Sequence, residues 1–121
     1  MLSSYKDLIV WQKSFDLVIL MFKLTYKFPK AEIYGLVSQI RRSAVSIPSN
    51  IAEGYSRGHR QEYIQFLRTA FASGAELETQ ILLSKELGFL TTNDFVKVND
   101  LLVEVQKMLN KLISSLNNSK P

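Results

Sequence analysis

The sequence predicts an all-α protein, an up-down-up-down four-helix bundle that forms a single domain over residues 1–121. Apolar residues recur at steps of three and four along four long segments, which is the period of an amphipathic helix. No segment alternates with the period of two that a half-buried strand has. Only short turns separate the four segments, and short connections place neighbouring helices antiparallel.

The first predicted helix runs over about residues 8–27 and is closed by Phe28 and Pro29. Its apolar residues occupy two neighbouring faces, so we expect this helix to be covered on two sides. One face carries Leu8, Trp11, Phe15, Val18 and Phe22, and the other carries Val10, Leu17, Met21 and Leu24.

The second predicted helix runs over about residues 32–54 and has Pro48 in its interior. Because proline has no amide hydrogen to donate to Ala44, the sequence predicts a kink there. Three polar neighbours are available to bond the freed groups, namely Ser46, Ser49 and Asn50. The predicted core stripe comprises Ile33, Val37, Ile40, Ala44, Ile47 and Ile51. A polar stripe on the opposite side comprises Gln39, Arg42, Ser46, Asn50, Glu53 and Arg57.

The third predicted helix runs over about residues 59–87, with Gly88 as its C-terminal cap. A run of small residues, ASGAE at 72–76, lies in its middle. A glycine inside a helix costs about 1 kcal/mol relative to alanine. We therefore expect the backbone of another helix to approach closely at this run and to pack tightly against Gly74 in compensation. The predicted inward positions are Tyr63, Phe66, Ala70, Leu77 and Ile81.

The fourth predicted helix runs over about residues 93–117, with Thr92 or Asn93 as its N-cap. Its apolar residues step by three and four without interruption, which is the heptad seam of a near-parallel helix pair. The seam comprises Phe95, Val98, Leu102, Val105, Leu109, Leu112 and Leu116.

The apolar residues exceed what one four-helix bundle can bury. The excess comes from the second apolar face of the first helix and from residues beside the heptad seam, namely Leu101, Met108 and Ile113. Large exposed apolar patches mark association surfaces, so we expect a homo-oligomer. The alternative is a monomer with ordinary scattered apolar residues on its surface.

The composition indicates a globular protein. Hydrophobic residues make up 46% and charged residues 21% of the chain, and no apolar run reaches the about 18 residues of a membrane span. The absence of cysteine removes disulfides and thiolate chemistry. The start, MLSSYKDL, has no basic stretch before an apolar run, so we expect no secretory signal, a cytoplasmic location and no membrane partner.

The sequence offers no convincing catalytic constellation, and we expect no enzyme activity, cofactor, metal or small-molecule substrate. The single histidine, His59, lies between Arg57 and Arg60. Two neighbouring cations oppose both its protonation and its metallation, so it is a poor general base and a poor ligand. No Glu-x-x-His pair of a di-iron bundle and no phosphate-binding Gly-x-x-x-x-Gly-Lys loop is present.

Arginines are concentrated in the middle of the chain, where lysine is absent from 31 to 84. The net charge is +4, and the planar guanidinium fork suits phosphate oxygens. We therefore predict nucleic-acid contacts at Arg41, Arg42, Arg57, His59, Arg60 and Arg68, with Tyr55 as a stacking partner. Two alternatives stay open: structural ion pairs such as Glu53 with Arg57, and arginines that hold an acidic partner protein or the chain's own subunits.

Three segments closely resemble a known protein family. They are YKDLIVWQKS, FPKAEIYGLVSQIRRSAVSIPSNIAEGYSR and EYIQFLRTAFASGAELETQILLSKELGFL, at residues 5–14, 28–57 and 62–90. The family consists of four-helix-bundle proteins encoded by intervening sequences in bacterial large-subunit ribosomal RNA genes, once labelled ribosomal proteins.

The resemblance implies an all-helical bundle that assembles as a pentameric ring. It also implies a distant similarity to the accessory protein of diversity-generating retroelements, a basic pentamer that works with a reverse transcriptase and nucleic acid. The leading hypothesis is thus a non-enzymatic oligomeric bundle that binds RNA, or another structured nucleic acid, through clustered arginines. A protein-interaction scaffold is the alternative.

Overall fold

The computed structural model describes residues 3–118, and within that range helices joined by short turns are the regular secondary structure, with no strand. The predicted all-α class is therefore confirmed. Residues 1, 2 and 119–121 of the predicted domain lie outside the described residues. The four α-helices are α1 (Ile9–Thr25), α2 (Ser38–Ser56), α3 (Arg60–Glu86) and α4 (Thr92–Asn117).

Contacts between neighbouring helices run in opposite residue order, so the helices are antiparallel. The Ser46 hydroxyl of α2 lies 2.8 Å from that of Ser73 in α3. Further along α2, Gly54 lies against Phe66, which is further back in α3. Each helix packs on the next, and α4 also packs on α1, which closes the bundle. Polar contacts that join α4 to its two neighbours are Lys13–Glu104 at 3.3 Å and Gln106–Phe71 at 2.9 Å.

The first helix buries the second of its two predicted apolar faces. Val10, Leu17, Met21 and Leu24 are all buried in the core. On the other face, Trp11 and Val18 are only half-buried, while Phe15 and Phe22 remain 45% and 40% exposed. The expectation of cover on two sides is therefore not met within one copy of the chain.

The second helix begins later than the predicted residue 32. A 3₁₀ turn at Lys30–Glu32 and a π turn at Ile33–Val37 precede it, and Gly35 has non-helical torsions of φ −114° and ψ −108°. This break turns Ile33 away from the core, where it is 48% exposed. The assignment of Ile33 to the core stripe was therefore wrong, whereas the rest of that stripe, Val37, Ile40, Ala44, Ile47 and Ile51, is buried.

The helix α2 continues through Pro48, which is buried. The Asn50 side-chain amide donates to the Ser46 carbonyl at 2.8 Å and to the Ser46 hydroxyl at 2.9 Å. It therefore bonds Ser46 and not the Ala44 carbonyl that the proline leaves without its donor. The kink at Pro48 stays a prediction.

The middle of the α4 heptad seam is buried, as predicted. Val98, Leu102, Val105 and Leu109 belong to the core, and the flanking Phe95, Leu112 and Leu116 pack against it partly buried. The extra apolar residues of α4, Leu101, Met108 and Ile113, also pack against this core within one copy. The N-cap of α4 is Thr91, whose hydroxyl accepts a hydrogen bond from the Asp94 amide at 3.0 Å. The prediction of Thr92 or Asn93 as the N-cap was therefore wrong.

Close packing at Gly74 is confirmed, but the predicted approach of another backbone is not. A Cβ atom there would collide with the side-chain amide of Gln106 from α4. The approaching group is thus a side chain and not the backbone of the neighbouring helix. Across residues 3–118, none of the helices combines the length and apolar character that a membrane crossing needs.

Candidate functional site

Arg41 joins α2 to the end of α1. Its Nε donates to the Thr25 hydroxyl at 3.0 Å, and its Nη2 lies 3.5 Å from the Phe22 carbonyl. The guanidinium carbon lies 4.6 Å from the centre of the Phe22 ring, in range of a cation–π interaction. Arg41 therefore places positive charge at the C-terminal turn of α1, where the helix dipole favours it.

Arg57 is held by two carboxylates at the other end of α2. It pairs with Glu53 at 2.9 Å, as predicted, and with Glu62 at 3.5 Å. Its guanidinium carbon also lies 5.0 Å from the centre of the Phe66 ring. These two negative charges offset the positive charge that Arg57 would offer to a phosphate.

Arg42 and Arg68 are exposed to solvent, as Arg57 is, but differ from it in their contacts. Within residues 3–118, neither forms an ion pair. Gln39 and Arg42, at the start of the polar stripe of α2, are exposed, but the middle of that stripe is used inside the chain. Ser46 and Asn50 are half-buried, and Ser46 bonds Ser73 of α3.

The remaining predicted contacts lie at the turn between α2 and α3. His59 is the exposed residue that precedes α3, and its side chain makes no capping hydrogen bond. Arg60 opens the helix and is half-buried. The predicted stacking residue, Tyr55, is half-buried and packs edge-on against Tyr63, with ring centres 5.8 Å apart. This contact occupies part of the ring surface that a nucleobase would need.

One copy of the chain does not gather its arginines at a single point. Arg41 and Arg57 are sixteen residues apart on α2, which separates them by about 24 Å along the axis at about 1.5 Å per residue. Arg57, His59 and Arg60 lie together at one end of the bundle. Arg41 and Arg42 lie near the opposite end and point to different sides, because successive helical residues are turned by about 100°.

A basic and aromatic surface that the sequence reasoning missed lies where α1 ends. Two neighbouring hollows of about 510 Å³ and 370 Å³ share Tyr26 and Arg41 in their walls. Lys23 lines the first and Lys30 the second. The run FKLTYKFPK, which alternates lysine with aromatic residues, was the available signal.

A contiguous apolar surface runs along the groove between α1 and α2. A hollow of about 290 Å³ there is lined by Tyr5, Trp11, Phe15, Val18, Val45, Pro48, Ser49 and Ala52. No charged residue lines it. We call this the α1–α2 surface, and Phe15 and Val45 on it are exposed. Ile19 and Phe22 extend the exposed apolar residues along α1 toward Arg41.

Burial shifts the pKa of one tyrosine, and hydrogen bonds shift that of one aspartate. Burial, and secondarily the nearby Tyr55, raise the pKa of Tyr63 to about 12. Hydrogen bonds from Ser3 and Ser4 lower the pKa of the Asp7 carboxyl. Among residues 3–118, no three His, Cys, Asp or Glu side chains come together in a group that could hold a metal ion.

Comparisons with known proteins agree with the fold. A model of the 23S rRNA-intervening sequence protein family matches residues 6–111. The chain is also similar to a crystal structure from Bacteroides thetaiotaomicron, a protein of unknown function from the S23 ribosomal protein family. The TM-score is 0.79 and the identity 24%, and the match covers 87% of this chain and 98% of the other. No curated protein matches significantly.

Proposed function

The chain belongs to the 23S rRNA-intervening sequence protein family, and from this premise we propose that it is a non-enzymatic helical bundle that self-associates and binds RNA. The observation that carries the proposal is the α1–α2 surface, an apolar groove free of charge on an otherwise charged and basic protein. Self-association covers this surface and brings the dispersed cations of several copies into one particle.

Support for self-association comes from the exposed side chains of α1 and α2. Phe15, Ile19 and Val45 are large apolar residues that one copy leaves partly in water. Burying apolar surface is favourable by about 25 cal/mol per Å². By contrast, the extra apolar residues of α4 pack against the core of the same copy. Leu82 and Leu83 of α3 are exposed as well, but we place association on the α1–α2 surface because Phe15 and Val45 there line one apolar groove.

Support for RNA binding comes from charge and from the family. The chain carries a net charge of +4, and Arg42 and Arg68 expose guanidinium groups that form no ion pair within residues 3–118. The family is described by its connection with 23S ribosomal RNA. RNA is therefore the polyanion that we propose as the ligand. An assembly of several copies carries each exposed arginine several times. Each further phosphate contact then adds to the free energy of binding RNA.

Light scattering with size-exclusion chromatography tests the assembly. We expect the wild type to exceed the 13.8 kDa of one chain, and the double variant Phe15→Glu/Ile19→Glu to elute as a single chain with its helical circular dichroism intact. The matched control is Leu82→Glu, which alters an exposed apolar residue on α3, away from the α1–α2 surface. A wild-type mass of one chain at micromolar concentration refutes self-association.

Fluorescence anisotropy with 23S ribosomal RNA fragments, over a series of salt concentrations, tests the binding. Arg42→Ala and Arg68→Ala should each weaken binding and lower the salt slope by about 1, the effect of one lost phosphate contact. Arg57→Ala is the control, because its charge is already offset by Glu53 and Glu62. A wild-type Kd weaker than about 100 μM at physiological salt refutes RNA binding.

A second candidate, a scaffold whose arginines hold its own subunits or an acidic partner, is favoured by one observation. Arg41 lies over the Phe22 ring, beside the exposed apolar residues of α1. Arg41→Glu separates the two functions, provided that circular dichroism shows the variant to be folded. Loss of the assembled mass supports the scaffold, whereas retained mass with weakened RNA binding supports a ligand site.

A further inference from the structure

The surface at the end of α1 combines an exposed aromatic ring with cations on both sides. Tyr26 follows the last residue of α1 and is 85% exposed. Its ring forms part of the wall of both hollows described above, together with Arg41. Lys23 lies on one side of it and Lys30 on the other. We call this set, Lys23, Tyr26, Lys30 and Arg41, the Tyr26 surface.

The positive charge of the Tyr26 surface is not offset by any negative charge in the lining of the two hollows. No acidic residue lines either hollow, whereas three cations do. The opposite end of α2 differs, because Arg57 there is paired with Glu53 and Glu62. An anion therefore gains more from the Tyr26 surface than from the end where sequence reasoning placed most of the contacts.

Apart from Thr25 in the second hollow, the remaining lining is apolar. Phe22 contributes to the first hollow, and Phe28, Ile33 and Val37 contribute to the second. A ligand that fits must therefore present a flat, weakly polar group beside negative charge. Nucleotides have this combination, since a base offers a π face and its flanking phosphates offer charge. An acidic peptide supplies the charge but has no general group for stacking on Tyr26.

We propose that the Tyr26 surface binds unpaired RNA, with a base stacked on the Tyr26 ring and the flanking phosphates held by Lys23 and Lys30. This inference rests on the proposed RNA binding and adds the class of RNA and the site. Bases inside a duplex are stacked on one another and cannot lie on a protein ring. The surface therefore selects single strands, loops and bulges over continuous duplex.

Anisotropy measurements with two labelled probes test this proposal: a single-stranded oligouridine and a duplex RNA of the same length without unpaired bases. The wild type should bind the single strand more tightly. Tyr26→Ala should weaken that binding about 5- to 100-fold, the range for losing one stacked base, and leave duplex binding unchanged. Tyr26→Phe keeps the ring and should restore binding to within about threefold of the wild type.

Two further variants sharpen the test. Tyr34→Ala is the matched control, because Tyr34 is 97% exposed but lines neither hollow, and it should bind the single strand as the wild type does. Lys23→Gln/Lys30→Gln should lower the salt slope for the single strand by about 2, one unit for each lost phosphate contact. Circular dichroism and the melting temperature verify the fold of each variant.

Several outcomes overturn the proposal, and they are distinguishable from failure of RNA binding itself. If the wild type binds RNA but Tyr26→Ala leaves the single-strand affinity unchanged, or weakens both probes equally, the stacking site is wrong while RNA binding stands. If the wild type binds neither probe, both proposals fail together. If Tyr26→Ala lowers the mass of the assembly, the surface is a contact between copies, and the assignment to RNA is overturned.

Discussion

The side chain of Gln106 in α4 occupies the space above Gly74 in α3. Its amide nitrogen donates to the Phe71 carbonyl at 2.9 Å, and a Cβ atom on residue 74 would collide with the same amide group. The glycine therefore lets a polar side chain cross the helix interface and bond the backbone of α3. This contact explains why a helix-weakening residue lies in the middle of a long helix.

The contact between Gly74 and Gln106 predicts that Gly74→Ala destabilises the wild type but stabilises the Gln106→Ala variant. Gly74→Ala should lower the free energy of unfolding by about 1 kcal/mol, because displacing the Gln106 amide costs more than the gain in helix propensity. In the Gln106→Ala background the space is empty, so the same substitution should stabilise by up to about 1 kcal/mol. Urea unfolding of the four proteins measures both effects. Equal effects in the two backgrounds would contradict the contact.

Gly54→Ala should be the more damaging of the two glycine substitutions. A Cβ atom at residue 54 would lie 2.6 Å from the Phe66 Cβ and 3.3 Å from the Tyr63 carbonyl oxygen. Neither atom can rotate away, because both belong to or adjoin the α3 backbone. We expect a loss of about 2 kcal/mol in unfolding free energy. The control is Gly74→Ala in the Gln106→Ala background, and a loss at residue 54 below about 0.5 kcal/mol refutes the close crossing.

Tyr63→Phe should stabilise the protein and change its response to high pH. Within residues 3–118, the buried Tyr63 hydroxyl has no hydrogen-bond partner, so its removal should raise the free energy of unfolding by about 1 kcal/mol at neutral pH. Chemical denaturation measures this change. A clear loss of stability would instead reveal a partner for the hydroxyl.

Tyr63→Phe should also change how the free energy of unfolding depends on pH above pH 10. The pKa of Tyr63 is raised to about 12 in the folded state, and a tyrosine in the unfolded chain loses its proton near pH 10. The unfolded state therefore binds fewer protons between about pH 10 and 12, and stability falls as pH rises through that window. Tyr63→Phe should flatten this fall, and an unchanged slope in the variant would contradict the raised pKa.

Arg57→Ala should reveal a structural role that depends on salt. Its ion pairs with Glu53 and Glu62 are solvent-exposed, so their loss, together with the Phe66 contact, should cost about 1 kcal/mol at low salt. The cost should shrink at about 1 M salt, where the Debye length falls to about 3 Å. Arg68→Ala is the control and should change stability by less than about 0.5 kcal/mol. Equal effects of the two variants would argue against the ion pairs.

Part of the fold could be predicted because the signal is local. The heptads of α4 needed only the helical period, and Val98, Leu102, Val105 and Leu109 are buried as that period requires. The bond between Glu53 and Arg57 needed only their spacing of four on one helix. Ile33 could not be placed in this way. The irregular backbone at Gly35 lies between Ile33 and α2, so the helical period of α2 does not extend back to Ile33.

The candidate site could be predicted only in part, since its neighbours in space are far apart in the sequence. Arg41 and Arg42 are adjacent in the chain, yet Arg41 contacts α1 while Arg42 faces solvent. Conversely, Tyr26 and Arg41 are fifteen residues apart and line the same two hollows. Clustering along the chain was therefore a poor guide to clustering on the surface.

By itself, the sequence determined the helical class, the bundle and the seam of α4, because the helical period and the turn residues act over a few neighbouring positions. Only the tertiary structure decided which of the two apolar faces of α1 is buried, and therefore that Phe15 and Phe22 are left in water. A period identifies the apolar faces of a helix, but the packing of α2 and α4 around α1 selects which of them becomes core. Arg41 followed the same rule, because its partners Thr25 and Phe22 lie on α1, which the sequence around Arg41 does not specify.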